Sequence, residues 1–285
     1  MENPMLRSFL IGFLILIGIP VSTVWAEEAE LFRAPATTFG PSGLLFTQST
    51  DTLLPGKIEV GFGGAYEHSS TDPDYLINEV AATVTFGISE RVEASARVPY
   101  VYNFESHGVD SAGTQGGEFS LKGRLLNQGD FRLPAIGFSL TYFTPLGSNL
   151  HEFDAVEFWG LKGLFLTSAL VDLSPSMFDH YYAGLYADGG IFIRDLGKPT
   201  EEKHVLIDLG IALPLIESRR LQLILEANAT LRNEIPLEGN YTGLTAGLRY
   251  VAPSFSLTGG VQHRLKRDEG IQDTDRFVLQ AGYLF

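Results

Sequence analysis

Apolar and polar residues alternate with a period of two along most of this chain, and no long stretch carries the 3.6-residue period of a helix. From Leu221 to Arg232, Leu221, Leu223, Leu225, Ala227, Ala229 and Leu231 fall on one face, while Gln222, Glu226, Asn228, Thr230 and Arg232 share the other with Ile224. Phe255 to Leu265 alternates in the same way, and so does the C-terminal run, where Phe277, Leu279, Ala281, Tyr283 and Phe285 occupy every second position. Strands are predicted at 57–69, 78–87, 92–104, 117–127, 135–145, 156–171, 180–194, 204–215, 221–233, 241–251, 255–265 and 274–285. Twelve is an even number. Most of the runs reach the roughly 9 to 11 residues that a tilted membrane strand needs, whereas strands of soluble domains average about 5 to 6.

The connections alternate in length in step with the strands. Ile88 to Arg91, Ile216 to Arg220 and Ala252 to Ser254 are tight, while 70–77, 105–116, 147–155, 195–203, 234–240 and 266–273 are longer and polar. Short periplasmic turns and long outer loops are the habit of membrane barrels. The polar face settles the direction of the alternation. Glu59, Glu93, Arg97, Glu118, Lys122, Arg124, Lys162, Asp188, Asp208, Glu226, Arg249 and Arg264 sit mid-strand opposite the aliphatic residues. So many charges cannot line a dry core, but they suit a wet or tightly paired lumen. The expected fold is all-β: one transmembrane antiparallel up-and-down β-barrel of about twelve strands over residues 57–285, its apolar face toward lipid.

The first residues change the count of what folds. Arg7 precedes an apolar stretch from Phe9 to Ile19, Pro20 breaks it, and Val24-Trp25-Ala26 presents a signal-peptidase site. The stretch is too short for a spanning helix, which needs roughly 18 residues or more. Residues 1–26 are therefore expected to be a cleaved signal peptide of an exported protein, and residues 27–56 either a plug entering the lumen or a periplasmic leader. The formal charge of −14 argues against a nucleic-acid partner, and the absence of cysteine excludes disulfides, thiolate catalysis, zinc-thiolate sites and a lipidated N-terminal cysteine. The aromatic residues Tyr66, Phe86, Tyr100, Tyr142, Trp159, Tyr250, Phe255, Tyr283 and Phe285 gather near strand ends, where interfacial girdles lie. The terminal Phe277, Leu279, Ala281, Tyr283 and Phe285 look like the signal read by the barrel-assembly machinery.

Three stretches carry a family resemblance: Thr50 to Gly56 leading into the first strand, Phe86 to Glu93 running on to Val98-Pro99-Tyr100, and Gly116 through Lys122 and Arg124 to Leu133-Pro134-Ala135 and Pro145-Leu146-Gly147. On these the chain resembles the outer-membrane family named for the meta-pathway of phenol degradation. It departs from that family in reading Gly116-Gly117-Glu118 where a Gly-Asp pair is usual. The resemblance implies an outer-membrane channel or transporter for small, rather apolar or aromatic compounds in a Gram-negative bacterium, similar in outline to the fatty-acid transporter barrels. It brings no catalytic residues.

The lumen-lining and selectivity candidates are Glu93, Arg97, Glu118, Lys122, Arg124, Asp208, Glu226, Arg249 and Arg264. A paired network that stiffens a narrow interior is preferred to a selectivity filter for the ladder on the third and fourth runs. A lipase-like pair, His68 and Ser70 with Asn78 across the hairpin, lacks the surroundings of that chemistry, so the chain is not expected to be an enzyme. The six histidines have no ligand spacing, and the loop acids Asp72, Asp74, Asp268, Glu269, Asp273 and Asp275 read as solvated, so neither metal nor cofactor is expected. The expected partners are outer-membrane lipid and lipopolysaccharide, the barrel-assembly machinery and a small solute. A non-transporting structural or adhesion barrel with a sealed lumen is the alternative function, and an outer-membrane hydrolase the third.

Overall fold

The computed structural model describes residues 37, 41–69, 75–106, 109–114, 116–129, 133–145, 159–172, 182–194, 201–216, 219–232, 241–266 and 274–285. The signal-peptide region, Ser70 of the lipase-like pair, the loop acids Asp72, Asp74, Asp268, Glu269 and Asp273, and most of the long loops lie outside the described residues.

Every regular element among the described residues is a strand: β1 Ile58–Ser69, β2 Tyr75–Ser89, β3 Val92–Ser106, β4 Val109–Thr114, β5 Gly117–Leu126, β6 Ala135–Thr144, β7 Gly160–Asp172, β8 Tyr182–Arg194, β9 Glu202–Pro214, β10 Leu221–Arg232, β11 Tyr241–Val251, β12 Phe255–Lys266 and β13 Thr274–Leu284. Neighbours in sequence pair antiparallel, except that β4 pairs with β3 alone and β3 pairs on to β5; β1 pairs with β13, so the wall closes on itself. Phe285 and Ile58 complete the closure with reciprocal backbone bonds of 2.8 and 3.4 Å.

The wall is a closed barrel of twelve strands, with β4 as an extra piece. The sequence predicts a long polar connection over 105–116. The chain instead carries β3 out to Ser106 and returns as β4, which pairs only with β3 before Gly116, at φ +99°, turns it into β5. The alternation of Val109-Asp110-Ser111-Ala112 is too polar to announce a strand, but a hairpin that extends β3 needs no apolar face. β2 likewise starts earlier than expected, at Tyr75, because its ladder with β1 runs to Ser69.

The outward face is apolar and open: Phe62 is 65% exposed, and Val84, Phe119, Leu140, Phe165, Leu225, Leu248, Leu257 and Leu279 are exposed with it. In water this surface would be costly, at roughly 25 cal/mol per Å². In a bilayer it is the surface that solvates the protein. The inward face inverts the usual order of a protein core, with Glu59, Glu93, Arg97, Glu118, Lys122, Asp188, Glu226, Arg249 and Gln262 all buried.

Candidate functional site

The barrel holds part of its own chain. Ser42 to Thr50 are buried inside it, and their backbone forms a small hairpin: Gly43 bridges Gln48, Leu44 N–H donates to Thr47 C=O at 2.7 Å, and Ser49 N–H donates to Ser42 C=O at 3.0 Å. Its tip is Leu45-Phe46. The outgoing limb runs back toward the end of the barrel where the short turns lie, Thr52 Oγ1 donating to Glu90 C=O at 2.9 Å in the β2–β3 turn, and on the incoming side Thr37 C=O accepts from the Gln280 side chain at 2.9 Å.

The wall reads this hairpin through its main chain, because a barrel lined with charged side chains presents many strong donors and acceptors to whatever enters. Glu93 accepts from Ser42 N–H at 2.9 Å, from the Ser42 hydroxyl at 2.7 Å and from Leu53 N–H at 2.8 Å. Lys122, 2.9 Å from Glu93, donates to Ser42 C=O at 3.0 Å and also to Asp51 C=O. Glu226 accepts from Phe46 N–H at 3.0 Å and Thr47 N–H at 2.7 Å, Asp188 from Gln48 N–H at 2.6 Å, and the Ser168 hydroxyl from Thr50 N–H at 2.9 Å. Arg249 donates to Gly43 C=O at 2.8 Å. Burial pushes the Asp51 carboxyl up from its ordinary value, against the pull of Lys122 and Arg124.

The apolar side chains of the tip fill niches in the wall. Leu44 packs with Tyr186, Ala212 and Ile224, and Leu45 with Phe46, Val278 and Ala65. Three wall glycines make the space: a Cβ at Gly210 would stand 2.4 Å from the Leu44 terminal methyl, and at Gly247 and Gly260 3.1 and 2.7 Å from that of Leu45.

Around the tip runs a belt of side chains bonded wall to wall. Asp208 accepts from Asn228, Asn228 from Gln262, and Gln262 from Arg264, at 2.8, 3.1 and 3.1 Å; Arg264 then donates to both oxygens of Glu67 at 2.8 Å. Arg276 lies 5.9 Å over the Phe46 ring and 3.9 Å from Glu79, and Arg97 bridges Glu79 and Glu118. On the opposite wall, Phe143 and Phe192 stand 5.0 Å apart, His204 stacks on Phe192 at 5.6 Å, and Lys162 lies 5.8 Å over Phe143.

No family model matches the sequence, and no curated protein matches it. Solved structures do. An outer membrane channel from Pseudomonas putida superposes with a TM-score of 0.61 at 13% identity, over 83% of this chain and 98% of that one. The chain has the fold of a bacterial outer-membrane barrel. More distant are the β-domain of the Bordetella autotransporter BrkA, with a TM-score of 0.47 at 13% identity over 80% of this chain and 98% of that one. The translocator domain of the autotransporter NalP from Neisseria meningitidis gives 0.45 at 11% identity over 82% and 90%.

Within this barrel the sequence candidates divide by what they touch. Glu93, Lys122, Glu226 and Arg249 hold the hairpin, whereas Arg97, Glu118, Asp208 and Arg264 belong to the belt. Register joins Glu93 to Lys122 and Arg97 to Glu118 directly across β3 and β5. Glu226 and Arg249 stand in different registers, opposite Thr245 and Gln222, and meet through the hairpin rather than each other. Arg124 stands at the rim, where it donates to Glu90 C=O at 2.7 Å. Of the C-terminal residues, Phe277, Leu279, Ala281, Tyr283 and Phe285 face outward and are exposed. Asp188, Ser168, Glu67 and Glu79 are not among the lumen-lining candidates of the sequence. Asp188 was visible as an inward charge, but its partner Gln48 lies 140 residues away.

Proposed function

We propose that this protein is an outer-membrane conduit for small solutes whose resting lumen is filled by its own residues 41–53. The observation that carries this is the way the filling is held. A lumen sealed for stability alone needs side chains that interlock, whereas this one grips a separate chain segment chiefly by its amides and carbonyls, bonds that can be given up one by one. The exported chain would lose residues 1–26, fold through the barrel-assembly machinery with its C-terminal Phe277 to Phe285 strand as the signal, and sit among lipid and lipopolysaccharide with the short-turn end toward the periplasm. No catalytic role is assigned to any residue.

The substrate class is proposed to be aromatic or other apolar compounds. The resemblance of the N-terminal half supports it, and so does the cluster of Phe143, Phe192 and His204, whose ring faces suit an aromatic solute. The contrary reading, a structural barrel with a permanently sealed lumen, draws on the number of wall-to-wall ion pairs.

The test is conductance in a planar bilayer of the refolded mature protein beside a variant lacking residues 41–53, both checked for β structure by circular dichroism. Steady ohmic steps from the deletion variant, with brief or rare steps from the intact protein, are the expected result. A folded deletion variant that passes no current would leave the structural barrel as the better account.

A further inference from the structure

We propose that the hairpin is a gate that opens in one direction, withdrawing through the short-turn end about a hinge at Pro55-Gly56 once the Glu93–Lys122 pair releases its two limbs. This rests on the conduit reading above.

The geometry of the neck comes first. One ion pair, near the short-turn end of β3, binds Ser42 on the incoming limb and Asp51 and Leu53 on the outgoing limb. It therefore acts as a staple across both limbs, and neither can leave while it is closed. Tip contacts differ in kind. Leu44 and Leu45 rest in niches made by Gly210, Gly247 and Gly260, and Glu226 takes the two neighbouring amides of Phe46 and Thr47.

The direction follows from the tether. The outgoing limb ends at the short-turn end, where Gly56 N–H donates to Gly87 C=O at 2.8 Å and β1 begins two residues later. A loop rooted there swings out past its root, while the other way is crossed by the belt from Asp208 to Glu67 and from Arg276 to Glu118. Gly56 supplies the hinge: its φ is +75°, in the left-handed region that other residues avoid, and apart from its chain neighbours no described atom lies within 4 Å of where its Cβ would be.

The chain has no cysteine, so introduced thiols report without background. Thr47 is fully buried, and its Cβ lies 3.4 Å from a Cβ built at Gly210, close to the roughly 3.5–4.5 Å span of a disulfide. Two measurements on the full mature protein in oriented vesicles then decide the matter. The Thr47→Cys thiol is titrated with a membrane-impermeant maleimide from either side, with and without the neutral neck pair Glu93→Gln, Lys122→Gln. Labelling from the short-turn side, accelerated about tenfold or more by the neutral neck, is expected, since the charge-assisted bonds that hold both limbs are weakened. In parallel, Thr47→Cys combined with Gly210→Cys is oxidised, and its conductance should vanish and return on reduction.

Labelling only from the loop side, or none from either, would overturn the withdrawal. Equal current from oxidised and reduced forms would overturn the gate while leaving a conduit. Labelling as expected with no current from any form would keep the withdrawal and remove the conduit reading. Should the neutral neck fail to refold, the disulfide pair and the Thr47→Cys thiol alone carry the same outcomes.

Discussion

Glu93 and Lys122 meet at 2.9 Å across β3 and β5, and between them they hold Ser42, Asp51 and Leu53 of the chain inside the barrel. Both are 1% exposed, so each is the other's principal compensation for leaving water. Removing one partner strands a buried charge, at a cost of about 3–5 kcal/mol. Glu93→Gln and Lys122→Gln should each lower the unfolding free energy in urea by that order, and the double variant should lose clearly less than the sum. Additive losses would mean the two side chains do not depend on each other.

Leu279 stands at the middle of β13 on the lipid face, 59% exposed. An arginine at the midplane of a membrane barrel costs about 2–4 kcal/mol. Leu279→Arg should therefore destabilise the protein by that amount in phospholipid vesicles, and Leu279→Ala by much less. A charge tolerated there without loss would argue that this face does not meet hydrocarbon.

Gly87 lets the root of the inner segment lie against β2. A Cβ at this position would stand 2.1 Å from Leu54 C=O and 2.6 Å from Leu53 C=O, both of them backbone atoms that cannot rotate away. Gly87→Ala should push Leu53 and Leu54 outward at a cost of about 1–3 kcal/mol and leave the ladder of β2 with β1 in place. The readout is chymotryptic cleavage at Leu44, Phe46 and Leu53, which should quicken while the barrel band on a gel is unchanged.

Asp51 gives a pH dependence with a definite sign. Its carboxyl is held above the ordinary aspartate value by burial, so folding favours the protonated form. The stability it contributes is present in acid, below the ordinary value of about 4, and is lost as pH rises through the raised one. Asp51→Asn should then be the more stable protein at neutral pH, and the gap should close as the pH falls toward the ordinary aspartate range. Unfolding midpoints of the two proteins across that window check it. A gap that widens in acid would reverse the assignment.

The strands of the wall were legible because lipid outside and charge inside impose a strict alternation, and β10 is found at Leu221–Arg232 where the pattern places it. β4 escaped, since it pairs on one side only and its sequence, Val109 to Thr114, shows no apolar alternation. The inward direction of Glu93, Lys122, Glu226 and Arg249 could also be read from parity. Their partners could not. Register across a long loop is not encoded in alternation, and Ser42 to Leu53 carries no period because it answers to no sheet face. Glu226 takes the amide of Phe46 from 180 residues away, and an amide looks the same in every sequence.

That anonymity has an evolutionary consequence. Because the wall holds the inner segment mostly by its main chain, side chains such as Gln48 and Thr50 are free to drift among relatives without loosening the grip. A substitution that selection should purge at each of Ser42, Phe46, Thr47, Gln48, Thr50 and Leu53 is proline, which has no amide hydrogen to give. Lineages can thus vary the side chains that line the barrel's interior while the main-chain contacts that hold the inner segment stay the same.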